Sequence, residues 1–193
     1  ANGGKDIYET LMGVAEQVTP GYHPNQQAAE AVLIPILNPF NRKAAKRIVT
    51  KGNYAAGDLS LQRSFTEDVI VHFLQQASDM LRDKGTLSKE FRESVNTIIR
   101  AGATTRAQMA KMWESRKKGV WIAEPNGIPV TEAEIRKYMP RDAILLNANS
   151  VQDVAFSARA MKLIGLAVEQ TIGARYSGAY EQVYQKQRQR MNT

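Results

Sequence analysis

Five cations, Arg42, Lys43, Lys46, Arg47 and Lys51, fall in a short run without an acid. Arg42 and Lys46 are four residues apart, as are Lys43 and Arg47, so each pair shares a helix face. Ala44, Ala45, Ile48 and Val49 supply an apolar side. A cationic face over an apolar one suits a phosphate backbone or an anionic lipid surface. The same residues also fit a solvated surface helix, or one paired with acids of a neighbouring subunit.

A second basic segment carries Arg100, Arg106, Lys111, Arg116, Lys117 and Lys118 against Glu114 alone, with Trp113 and Trp121 among and beyond the charges. Cations hold phosphates and aromatic rings stack on bases, which is the chemistry of single-stranded nucleic-acid binding. The segment also permits a helix-turn-helix with its turn at Gly102, followed by a hairpin wing. Its second helix offers Gln108 and Lys111 to bases, but its apolar positions are mostly Ala and Met, a poor reading surface. The chain's net charge is +7. The two basic segments together exceed that, so the rest is net acidic, and local basicity points to a site for an anionic partner.

Tyr176, Tyr180 and Tyr184 recur every fourth residue and form one stripe on a helix. An apolar body with a polar tip suits an interface. Packing on the chain's own core explains the stripe equally well.

Catalytic chemistry is thinly represented. With no cysteine, thiolate catalysis, disulfides and cysteine-ligated zinc are excluded. Of the two histidines, His72 sits in a helix beside Phe73 and reads as structural, and His23 lies in a loop with nothing in the sequence to pair it to. Gly52 and Gly57 have phosphate-loop spacing, but Asp58 stands where such a loop needs Lys. Glu67/Asp68, Glu90/Glu93 and Glu132/Glu134 lie near helix starts, where acids suit the helix dipole. No catalytic residue, metal ligand or cofactor is assigned.

Helices must position these groups. Val151, Val154, Ala155, Ala158, Met161, Gly165, Val168 and Ile172 follow helical spacing, and Leu163–Val168 is apolar nearly all round. Residues 150–173 therefore read as a buried central helix, capped by Ser150, with small residues that admit close neighbours. Further helices are expected over 6–18, 26–37, 41–50, from Ser64 or Thr66 to 83, from Thr86 or Ser88 to Gly102, from Thr104 or Thr105 to 118, from Thr131 to about 139, and from 173 to about 190. Val120–Ile122 and Ile128–Val130 flank Pro125-Asn126-Gly127, a hairpin signal. The fold class expected is mainly α: a multi-helix bundle around the 150–173 helix, with one small β-hairpin near 120–130. Residues 1–193 read as one domain with flexible ends at 1–5 and 186–193. The longest apolar run, 31–37, contains Pro35 and is far short of the roughly 20 residues of a membrane span.

The function expected is non-enzymatic: a self-associating structural subunit, as in a coat or nucleoprotein, that touches RNA or DNA phosphates independently of sequence; it reads as soluble, in cytoplasm or virion sooner than at a membrane, with the compartment unassigned and an exported form left open. Arg42, Lys43, Lys46, Arg47, Lys51, Arg106 and Lys111 would hold phosphates, Trp113 and Trp121 would stack or plug, and the tyrosines would join copies. One alternative is a helical accessory subunit of a secretion or conjugation machine, meeting acidic proteins or lipid. A lysozyme-like hydrolase is the least supported.

Overall fold

The computed structural model describes residues 6–18, 20–54, 62–120, 128–141 and 156–191. Among them the chain is mainly helical: α1 (Ile7–Gln17), α2 (Pro24–Leu37), α3 (Arg42–Tyr54), α4 (Gln62–Lys84), α5 (Lys89–Lys117), α6 (Glu132–Tyr138), α7 (Ala158–Val168) and α8 (Ala174–Met191). A π-helical turn, Glu169–Gly173, joins the last two without a break. One apolar cluster includes residues from all eight α-helices.

Local chemistry sets most helix starts. Asp6 accepts from the Glu9 amide, Asn41 from Ala44, Ser88 from Phe91 and Ser157 from Ala160. Thr131 and Glu134 form a reciprocal capping box on α6. Pro24 at the first position of α2 fixes a helical φ where no amide partner is needed, and His23 Nδ1 accepts from the Asn25 amide at 3.1 Å. Gly85 and Gly119, at φ of 70° and 76°, end α4 and α5 in left-handed conformations that a side chain would strain.

Several expectations are corrected. No helix break occurs at Gly102: α5 runs through it, and Ala101–Thr105 are all buried. Thr104 and Thr105 are not caps. Their hydroxyls donate to Arg100 and Ala101 carbonyls one turn back, and accept from Asn25 Nδ2 at 2.8 Å and Gln26 Nε2 at 3.0 Å. These bonds tie α5 to α2. Without a turn at Gly102 the helix-turn-helix reading has no basis. A β-carbon on Gly102 would stand 2.0 Å from the Leu163 carbonyl oxygen, so glycine is what lets α5 and α7 cross so closely. Likewise α4 begins at Gln62, upstream of both proposed caps, and Thr66 is buried inside it.

The expected hairpin turn, 125–127, lies outside the described residues; Val120 and 128–130, which are described, form no strand. Ser150 and the first residues of the expected central helix also lie outside them, and α7 starts at Ala158 behind Ser157. Ala160, Leu163, Ile164, Gly165, Ala167 and Val168 of α7 are buried. The helix packs on α5, α4 and α2, while α5 also packs on α2 and α6, and α3 packs on α1 and α8.

Gly173 does not end the helix. At the π turn, Thr171 Oγ1 donates to the Ala167 carbonyl at 2.7 Å, and the single proton of the Tyr22 hydroxyl is shared between the Thr171 carbonyl at 2.8 Å and Glu30 at 2.6 Å. Side chains thus serve backbone groups that the widened turn displaces from α-helical register.

Candidate nucleic-acid interface

The cations of α3 divide by partner. Arg42 pairs with Asp6, the cap of α1, lies 4.0 Å from Glu9, and stacks 5.0 Å from the Tyr8 ring centre. The Asp6 carboxyl is held below its ordinary range, first by the Glu9 amide and then by Arg42. Arg47 pairs with Asp68 of α4 at 3.1 Å and lies over Phe65. Lys51 is half-buried. Lys43 and Lys46 are exposed, with no acidic partner among the described residues.

On α5 the division recurs. Arg100 pairs with Glu132. Lys111 is used locally: its Nζ donates to the Pro129 carbonyl at 2.6 Å and meets Glu134 at 3.1 Å. The Thr131 amide first, and then that contact, keep Glu134 below the usual carboxylate range. Arg106 is different. It lines a cleft of about 560 Å³ with Tyr138 of α6 and Ala158, Arg159 and Lys162 of α7. Among the described residues no acid lines this cleft. Arg159 donates to the Lys137 carbonyl at 3.3 Å, while Arg106 and Lys162 have no acidic partner among the described residues.

Trp113, two turns beyond Arg106, is 60% exposed, with Lys117 Nζ 5.6 Å from its ring centre. Trp121 lies outside the described residues. The tyrosine stripe splits. Tyr176 is completely buried beside Phe40, and its hydroxyl donates to the Pro39 carbonyl, so it belongs to the core and is removed from the interface set. Burial raises its pKa. Tyr180 and Tyr184 stack at 5.8 Å, nearly parallel, and Tyr184 is exposed.

The two basic segments therefore do not meet in one cleft: α3 sits with α1 and α8, whereas Arg106 looks onto α6 and α7. Arg159, Lys162 and Tyr138 were missed by the sequence reading. Their signal was present, since Arg159 and Lys162 are three apart on one helix edge and interrupt an otherwise apolar stretch.

The acids have structural work. Glu132 and Glu134 hold Arg100, Arg136 and Lys111, Asp68 holds Arg47, and Glu93 lies 3.8 Å from Lys89. Glu30 of α2 binds Arg175 through both oxygens, at 2.6 and 2.8 Å, and accepts from the Tyr22 hydroxyl at 2.6 Å. Burial and the Glu30 charge push Tyr22 well above its ordinary pKa. Among the described residues no group of His, Asp and Glu has metal-ligand geometry, and no helix is long and apolar enough to cross a membrane. No family model, curated protein or solved structure matches the chain.

Proposed function

We propose that this chain is a non-enzymatic assembly subunit that contacts nucleic-acid phosphates independently of sequence, as a coat or nucleoprotein subunit does. The observation that carries the reading is the cleft of Arg106, Arg159 and Lys162, which no acid lines among the described residues. Three cations from two helices converge there, none of them with an acidic partner among the described residues. Such an arrangement costs stability through mutual repulsion unless an anion occupies it, and phosphate is the anion that guanidinium and ammonium groups serve together.

In this reading the phosphate-binding set narrows. Arg42, Arg47 and Lys111 are committed to Asp6, Asp68 and Glu134. Lys43 and Lys46 remain as an outer contact on α3. The Tyr180–Tyr184 stack is the surface for a second copy, because an exposed ring beside a stacked one loses little further freedom on binding. The same reading takes Ala158–Gly173 as the element around which the bundle assembles, since it carries Arg159 and Lys162 on one edge and buried residues on the other.

Size-exclusion chromatography with absorbance at two wavelengths tests the reading. Protein taken directly from expression should elute as an oligomer with nucleic acid attached. A nucleic-acid-free monomer that binds anionic vesicles would overturn it in favour of an accessory subunit at a lipid surface.

A further inference from the structure

Arg106, Ala110, Trp113 and Lys117 succeed one another at intervals of four, three and four residues along α5. They lie within a narrow angular range, so they form one stripe on the face opposite the buried Gln108. The stripe leads out of the cationic cleft at Arg106. Seven residues later, about 10 Å along the axis, it reaches Trp113. Met109, beside it, is also exposed. An exposed tryptophan with a lysine over its ring is an unusual use of apolar surface, and the charge around it repels a second basic face.

From this we infer that the stripe is a track for single-stranded nucleic acid: a phosphate sits among Arg106, Arg159 and Lys162, and an unpaired base from the same strand stacks on Trp113. The inference rests on the proposed phosphate contact and adds the strand type. Duplex bases face each other and are closed to such a ring, whereas every unpaired base has a free face. Charge complementarity favours a polyanion here over a second copy of a basic chain. Lys117 serves both parts, since it lies against the ring and neutralises the next phosphate.

The test uses the full chain with Trp121→Phe, which leaves Trp113 as its only tryptophan. Titration with single-stranded oligothymidylate is expected to quench its emission. Polyphosphate, which has the charge but no base, should bind with little quenching. Trp113→Ala in the natural chain should weaken oligothymidylate affinity roughly five- to a hundredfold and leave polyphosphate affinity unchanged. Trp113→Phe should recover part of the loss. Unchanged oligothymidylate affinity in Trp113→Ala, or an equal loss for both ligands, would overturn the inference while the phosphate contact stands. A lower oligomer mass at unchanged affinity would assign the ring to contact between copies and overturn it as well. If the natural chain binds neither ligand, the phosphate contact itself fails and takes the track with it.

Discussion

Arg175 shows how much one side chain can organise. From the first turn of α8 its guanidinium reaches the carbonyls of Ala15, Glu16 and Val18 at the end of α1, and it grips Glu30 of α2 through two nitrogens. A helix end leaves carbonyls unpaired, and a cation there meets both the hydrogen-bonding need and the dipole. The pair is mostly enclosed, with side-chain exposures of 12% and 9%. Glu30→Gln removes the compensating charge and leaves the guanidinium poorly solvated. It should lower unfolding free energy by on the order of 3 kcal/mol, read as a reduced denaturant midpoint at pH 7. A change confined to a few tenths would mean that water reaches Arg175. At His23 the issue is protonation. Its Nδ1 is the acceptor for the Asn25 amide, so a proton on that nitrogen breaks the cap, and partial burial lowers its pKa below the ordinary 6.5. A folded-state pKa below the unfolded one gives stability that is present above the unfolded value and lost as pH falls through the folded one. His23→Asn keeps a capping side chain that does not titrate. Between pH 7.5 and 5.5 the natural chain should lose more midpoint than His23→Asn; equal losses would contradict the cap's role.

At the scale of elements the crossing of α5 and α7 is the decisive contact, because it sets Arg106 beside Arg159 and Lys162. Gly102→Ala tests it, since two effects oppose one another there. Alanine favours a helix interior over glycine by about 1 kcal/mol. The added β-carbon would collide with the Leu163 backbone, which cannot rotate away as a side chain can. Overpacking of this kind costs about 1–3 kcal/mol or more, so the clash wins. The variant should be destabilised and should also bind polyanions less well. A more stable variant would show that the helices are not so close. This crossing also explains what the sequence could and could not disclose. Caps at Asp6, Asn41, Ser88 and Thr131 were readable because donor and acceptor lie within three residues. Gly102 was misread because its partner lies 61 residues away in the chain, at Leu163. A glycine that stops a helix and one that lets two helices touch look the same until the second helix is in place.

For the whole molecule the question is where positive charge remains once ion pairs have formed. Composition and spacing identify two basic segments, but they do not show which of those cations are paired with acids of this chain. Arg42, Arg47 and Lys111 meet acids from α1, α4 and α6, tertiary pairings with no local signature. Exposed pairs of this kind add little stability, but they remove those groups from service to a ligand. In the cleft, Arg106 of the second segment meets Arg159 and Lys162 of α7, a grouping made only by the fold. In the proposed function this cleft grips a polyanion. The most direct measurement is the slope of log affinity against log salt for a nucleic-acid strand, compared between the natural chain and Arg106→Ala/Arg159→Ala/Lys162→Ala. Each lost phosphate contact reduces the slope by roughly 0.7 to 0.9, so the account predicts a triple variant shallower by roughly 2 to 3 and weaker throughout. A slope and affinity equal to those of the natural chain would contradict it.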